Sequence, residues 1–204
     1  INLPLISYNT INDDVNNYIK LDVKSSKCSY YVGRMVKDVK IGESPAFIKK
    51  RLESVGIRSI NNVVDISNYV MLEYGQPLHF FDYDKLGSKV IVRDALDNEE
   101  VTTLDGVSRK LSSKDIVISN DKNIECIAGV MGGANSEISI DTKNIFIESA
   151  IFDSVSIRNT ANRLDLRSEA SIRYGKGLNY EYSEEASKRA CQLLEKYASA
   201  KVLE

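Results

Sequence analysis

One histidine occurs among 204 residues; it follows Gly75-Gln76-Pro77-Leu78 as His79, with Phe80-Phe81-Asp82 behind it. Imidazole is the side chain most easily poised between proton donor and acceptor near neutral pH, so its surroundings decide its use. Here a glycine ends the preceding helical pattern and a proline turns the chain, delivering His79 into aromatic company. A lone histidine fits a hydrogen-bonded structural role as well as a chemical one. Ser67 and Asn68 are small polar residues in an otherwise apolar helix, and they likewise fit a solvated face.

Glu148 is the sharper anomaly. In Asn144-Ile145-Phe146-Ile147-Glu148 the isoleucines point to one face of a strand and Phe146 to the other, so both faces are covered. The two-residue period puts Glu148 on Phe146's face, and Ala150-Ile151-Phe152 follow. A carboxylate there is costly unless something pairs with it. Either the strand emerges and Glu148 is wet, or it is buried and ready to accept a hydrogen bond from a ligand.

Two further clusters carry polar potential. Gly129-Val130-Met131-Gly132-Gly133 ends a strand, where glycine lets backbone amides approach a ligand closely. It is neither a phosphate-loop nor a dinucleotide motif, and a structural turn explains it equally well. Arg167-Ser168-Glu169-Ala170-Ser171-Ile172-Arg173, with Arg158 and Arg163, makes the densest basic patch, and arginine suits bidentate phosphate contacts.

The elements that must position these residues follow from periodicity. Residues 1–24 are rich in Asn and Asp and read as a linker or the edge of a preceding domain. Residues 25–200 read as the domain itself, and 201–204 as the start of a further linker. Cys28–Val36 is strand-like, with Gly33 marking a bulge. Ser44-Pro45 reads as a cap followed by a first-turn proline. The helix it opens carries Phe47, Ile48, Leu52 and Val55 on one face and stops at Gly56. A second helix spans about Val63–Tyr74. Strands follow at Lys89–Arg93, at Val101–Leu104 and Val107–Leu111 across Asp105-Gly106, and at Ile116–Ile118 and Ile124–Val130 around Asp121-Lys122-Asn123. Asp153 caps a short helix to about Asn162. A last helix, about Tyr180–Ala198, sets Tyr182, Ala186, Ala190, Leu193, Leu194 and Tyr197 on one side. Helices at both ends with strands between predict an α+β fold of layered mixed or antiparallel sheets with helices on one outer face.

Composition narrows the class. Twenty-nine acids against twenty-seven lysines and arginines leave a net charge of −2, which is not the balance of a broadly basic nucleic-acid binder. Any RNA contact must then be local or shared with other domains. Cys28, Cys126 and Cys191 are widely spaced and odd in number, so with one histidine they form neither a zinc motif nor a disulfide framework. Reduced thiols in a cytoplasm are the expectation. No 18-residue apolar run is present to span a membrane as a helix. The chain starts at Ile1 without a signal-like segment and reads as a piece of something longer.

Several separated words, in order, resemble one family. These are Gly56-Ile57-Arg58 with Asn61–Tyr69, Gly75-Gln76-Pro77-Leu78-His79 with Phe81-Asp82, Thr103-Leu104-Asp105-Gly106, and Ala128–Gly133. Ile147-Glu148-Ser149-Ala150, Ile157-Arg158 and Ala170-Ser171-Ile172-Arg173 complete the series. Together they resemble the editing domain in the beta subunit of bacterial phenylalanyl-tRNA synthetase, over about Cys28 to Lys196.

The resemblance implies hydrolysis of tyrosine wrongly attached to phenylalanine tRNA. An apolar pocket shaped for a phenyl ring cannot strongly reject an analogue that only adds a hydroxyl, so a second site must favour that hydroxyl. By the same resemblance, His79, Ser67 and Asn68 stand at the labile ester and Glu148 at the tyrosine hydroxyl beside the Gly132 backbone. Ser168 and Ala170 line the pocket. Ser67 and Ser168 replace the usual threonines, and Gly175 stands where glutamate is common. The implied partners are phenylalanine tRNA carrying tyrosine and the synthetase alpha subunit, in an assembly of two alpha and two beta subunits. ATP and magnesium belong to the full synthetase, while no metal or cofactor is implied for this domain. A non-catalytic tRNA-contacting scaffold and a site for free aromatic amino acids remain the alternatives.

Overall fold

A computed structural model describes residues 3–204. In chain order the elements are β1 (Thr10–Ile11), β2 (Lys20–Val23), β3 (Cys28–Lys37), α1 (Ala46–Ser54), α2 (Asn62–Tyr74), β4 (His79–Asp82), α3 (Tyr83–Leu86), β5 (Lys89–Asp94) and β6 (Glu100–Thr102). They continue as β7 (Ser108–Lys110), β8 (Ile116–Ser119), β9 (Ile124–Ile127), β10 (Met131–Gly132), β11 (Ile145–Phe152), α4 (Ser154–Arg163), α5 (Glu169–Tyr174), α6 (Tyr180–Ala198) and β12 (Lys201–Leu203).

The strands form two five-stranded sheets, ordered β1-β12-β3-β11-β4 and β10-β9-β8-β5-β2, with the hairpin β6-β7 beside them. Pairing is antiparallel except for β1 with β12 and β2 with β5. Two cores follow from the alternation along β11. Ile145 and Ile147 pack with Val63, Ile66 and Val70 of α2 and Ala190 and Leu194 of α6 on the outer face. Phe146, Ala150 and Phe152 pack with Val92, Ile118 and Ile127 of the second sheet. The result is a sheet–sheet–helix sandwich of α+β class, as the order of elements predicts.

The structure corrects the reading at several points. The supposed linker 1–24 supplies β1 and β2, one to each sheet, and Lys201–Leu203 is a strand between β1 and β3. α1, α2 and α6 cover the outer face, while Ile157 and Ala161 of α4 and Tyr174 of α5 add to the core between the sheets. Gly33 is not a bulge. The β3–β11 register shifts only between Ile151 and Phe152, and Gly33 gives room to Phe146, whose Cζ would stand 2.7 Å from an added Cβ. Ser44 does not cap α1; its hydroxyl donates to the buried Asp65 carboxylate, which also accepts from Ser59 and from the Ile60 amide. Phe47 of α1, Val55 at its C-terminal cap and Tyr182 of α6 are exposed, so the buried stripes are narrower than their periodicity implies. The β9 run stops at Ile127 rather than Val130, and Ala128–Val130 turn the chain into β10.

The Asp105-Gly106 hairpin has a three-residue loop, because Thr102 pairs with Ser108 and the Thr103 amide donates to Val107 O. Gly106 takes the left-handed conformation that this wider loop requires, at φ 78°. Leu104 leaves the ladder because its amide donates to Gly132 O, which draws it onto β10.

Candidate functional site

The site begins with how α2 ends. Asn61 caps its start by accepting from the Val63 and Val64 amides, and Gly75 closes it at φ 72°. Gln76 then donates from Nε2 to Ala150 O of β11, fixing the turn against that strand. With Pro77 limiting the path, β4 starts at His79 and pairs antiparallel to β11, so that His79 lies directly opposite Glu148. Both side chains therefore face the second sheet, not the helices.

Across them lies a cavity of about 290 Å³, lined by Ser67, Asn68, His79, Gly132, Glu148, Ser168 and Ala170 among others. Six separate segments of the chain meet there. Ser67 Oγ donates to Leu78 O at 3.1 Å, tying α2 to the residue before His79, and Asn68 continues the same wall. Ser168 caps α5 by accepting from the Ser171 amide and donates to Val130 O at 2.6 Å, which joins α5 to the glycine turn. Gly132 has no room for a side chain, since a Cβ would stand 2.5 Å from His79 Cε1 and 3.0 Å from Leu104 Cδ1.

Glu148 is buried, not wet. Burial raises its pKa to about 7, although a hydrogen bond from Tyr31 opposes the rise. That bond runs from the Tyr31 hydroxyl to Oε2 at 2.8 Å. Burial lowers the His79 pKa to about 4, so the ring is neutral at pH 7. It meets Phe81 edge-on with centroids 4.3 Å apart. No hydrogen bond joins His79 to Glu148 among the described residues. Chemically, the cavity offers a neutral imidazole, a carboxylate poised between its two forms, and a backbone approached closely at Gly132.

Sequence reasoning did not single out Tyr31, Leu104, Cys126 or Tyr174. Tyr31 reaches Glu148 only through the β3–β11 register, for which no local pattern stands as a signal. Tyr174 lines the cavity and donates to Ala150 O at 3.1 Å, and Cys126 lies in the opposite wall. The basic patch is largely engaged elsewhere. Arg163 pairs with the buried Asp115, Arg173 with Glu169, and Arg158 donates to Gly175 O. Arg158, Arg167 and Lys176 bring positive charge to a neighbouring cleft that Ser171 and Ile172 of α5 also line. Among the described residues no three His, Cys, Asp or Glu side chains converge to hold a metal ion, and no helix is long and apolar enough to cross a membrane.

Comparison with known proteins agrees with this architecture. The chain is 52% identical over 203 residues to the phenylalanine–tRNA ligase beta subunit of Staphylococcus haemolyticus, covering 98% of this chain and 25% of that protein. It is 54% identical over 192 residues to the Staphylococcus saprophyticus beta subunit, covering 93% and 24%. The chain thus spans about a quarter of the length of these relatives. A crystal structure of an N-terminal fragment of the phenylalanyl-tRNA synthetase beta subunit from Pyrococcus horikoshii superposes with a TM-score of 0.62 at 14% identity, over 98% of this chain and 53% of that one. At that identity the likeness establishes a shared fold. The model of the B3/4 domain matches residues 27–199, which include every strand and helix that lines the cavity, and the chain belongs to the B3/4 domain family.

Proposed function

We propose that residues 25–200 form an editing unit that hydrolyses the ester joining tyrosine to phenylalanine tRNA, within a phenylalanyl-tRNA synthetase beta subunit. The observation that carries this reading is the single cavity in which the buried carboxylate of Glu148 and the neutral imidazole of His79 stand opposite each other on adjacent strands. Its volume of about 290 Å³ suits one amino-acid side chain with its ester.

In this reading the phenol O–H of tyrosine donates to Glu148, with the backbone near Gly132 alongside. Phenylalanine leaves that carboxylate unpaired, which costs about 1–3 kcal/mol, or about ten- to a hundredfold in rate. His79 stands with Ser67 and Asn68 at the ester. Because burial holds its pKa near 4, His79 is a weak proton acceptor at neutral pH and serves better by hydrogen-bonding and orienting the attacking water or the ester. The water oxygen adds to the ester carbonyl, and the ribose oxygen leaves with a proton. The products are free tyrosine and uncharged tRNA. Ser168 and Ala170 shape the pocket wall.

Such a unit would work beside a synthetase alpha subunit, in an assembly of two alpha and two beta subunits in the cytoplasm; the name beta subunit carried by the relatives supports this reading. ATP and magnesium serve the charging reaction of that assembly, outside this domain. The near-neutral charge of this chain fits a tRNA end presented by other parts of the assembly.

The test is deacylation of tyrosyl- and phenylalanyl-tRNA by the full synthetase. His79→Ala is expected to slow hydrolysis of both esters by about a hundredfold or more. Glu148→Ala is expected to slow the tyrosyl ester about ten- to a hundredfold and the phenylalanyl ester little. Wild-type rates in both variants would end the reading.

A further inference from the structure

Glu148 has neighbours of unequal kinds on its two flanking strands. On β4 it faces His79; on β3 it faces Gly33, which has no side chain and is overlaid by the Phe146 ring. The β3 side is instead served along the diagonal by Tyr31, which stands opposite Ala150 and shares the inward face. Its hydroxyl donates to Oε2 of Glu148 at 2.8 Å. The other oxygen, Oε1, has no hydrogen-bond partner among the described residues, and Glu148 lines the cavity. Oε1 is not sealed off, unlike the unpartnered buried atoms of Tyr74, Gln76, Glu125, Ser136 and Ser183. Oε1 therefore opens onto the cavity.

We propose that Tyr31 is a positioning residue for substrate discrimination: it holds Oε2 so that Oε1 is the oxygen presented to a substrate hydroxyl. This rests on the editing reading above. The terminal torsion of a glutamate is broad and roughly two-fold, so an untethered carboxylate would turn among several orientations in the cavity. One fixed donor on the far oxygen removes that freedom without occupying the oxygen the ligand needs.

The same bond favours the ionised form of Glu148 against its burial. The thiols, phenols and imidazole that face it are shifted away from the neutral range. Cys28 on β3 is pushed up to about 12, and Cys126 on β9 and Tyr174 on α5 are raised well above their usual values, all chiefly by burial. Tyr31 itself is raised by burial and by the Glu148 charge, and His79 is lowered to about 4. Glu169 at the cavity lining is paired with Arg173. Between about pH 5 and 9 Glu148 is thus the buried group in the cavity that changes charge, and Tyr31 sets where it does so.

The experiment is the pH dependence of tyrosyl-tRNA deacylation by the full synthetase, with Tyr31→Phe, Glu148→Gln and the double variant. Tyr31→Phe is expected to lower kcat/KM for the tyrosyl ester about three- to tenfold, mainly through KM. It should also move the acidic limb of the profile to higher pH. In the Glu148→Gln background the same change is expected to add less than about twofold. Fluorotyrosine at position 31, a stronger donor, is expected to move the limb to lower pH, which tests the role without removing a side chain. If Glu148→Gln slows the reaction while both Tyr31 changes leave the limb in place, or the Tyr31→Phe loss persists undiminished in the double variant, the positioning role is overturned and the editing reading stands. If neither Glu148→Gln nor His79→Ala affects tyrosyl-tRNA, the editing reading falls, and the Tyr31 role with it.

Discussion

The two faces of β11 are built to different rules. Toward the helices it presents Ile145 and Ile147, fully buried, and Ser149, whose hydroxyl is spent on Ser183 O at 2.9 Å. Toward the second sheet it presents Phe146, Glu148 and Ala150, and the packing there is interrupted by a cavity. One face is an ordinary apolar seam in which every atom removed is missed. The other carries a carboxylate at 3% exposure whose charge its surroundings oppose. The fold draws its stability from the helix side, which supports a strand whose opposite side is organised around an unfavourable group. Such groups gather where binding or chemistry is done.

The largest effect is expected from breaking the helix side. Ile147→Ala removes a fully buried side chain from the seam with α2 and α6. It should destabilise the protein by about 2–5 kcal/mol, read by equilibrium urea unfolding. A loss below 1 kcal/mol would mean that the seam is not the stabilising face.

The cavity side should respond with the opposite sign. Glu148 has its pKa raised from 4.5 to about 7, so its protonated form is favoured in the fold. Its contribution is fully present below about pH 4.5 and is lost as pH rises through about 7. His79, lowered from 6.5 to about 4, runs the other way: its contribution is present above about 6.5 and is lost as pH falls through about 4. Between these limits the two slopes oppose each other, and the unaltered protein should show little pH dependence from the pair. Glu148→Gln keeps a neutral side chain of the same shape. It is expected to stabilise the fold by up to about 3 kcal/mol at pH 8, with the gain fading toward pH 4.5. The remaining His79 slope should then make that variant lose stability on acidification from about 6.5 to 4. Urea midpoints across pH 4–8 check both statements. A Glu148→Gln variant less stable at pH 8 than at pH 5 relative to the parent would reverse the assignment of cost to the carboxylate.

Much of this contrast is legible in the sequence, because it rests on period and on single odd residues. Ile-Phe-Ile-Glu places Glu148 on Phe146's side by alternation alone, and α6 runs over the span its apolar spacing marks. Asn61 and Gly75 bound α2 through local capping chemistry that needs no tertiary partner. What is not legible depends on distant pairing. Thr10–Ile11 and Lys20–Val23 are short and largely exposed, and they become strands because β12 and β5 lie beside them. Ser44 carries a cap signal, but a buried Asp65 from another helix claims its hydroxyl. Tyr31 is one tyrosine among eleven until the β3–β11 register sets it diagonal to Glu148.

The smallest expected effect lies at the cavity's rim, where the two rules meet. Ser168 accepts from the Ser171 amide at 3.0 Å, while its own backbone N–H donates to Ser171 Oγ at 2.9 Å, so cap and third residue satisfy each other. Its hydroxyl proton goes to Val130 O at 2.6 Å, holding α5 against the turn that leads to Gly132. Ser168→Ala removes both hydroxyl bonds but creates no large void, since the site borders an open cavity. The expected loss is about 1 kcal/mol, a fall in Tm of about 2–4 °C for a chain of this size. Ser168→Thr retains the hydroxyl and should lose less than the alanine variant in the same thermal scan. If Ser168→Ala instead costs as much as Ile147→Ala, the cavity wall is as tightly constrained as the helix seam, and the division of β11 into a stabilising face and a tolerant one does not hold.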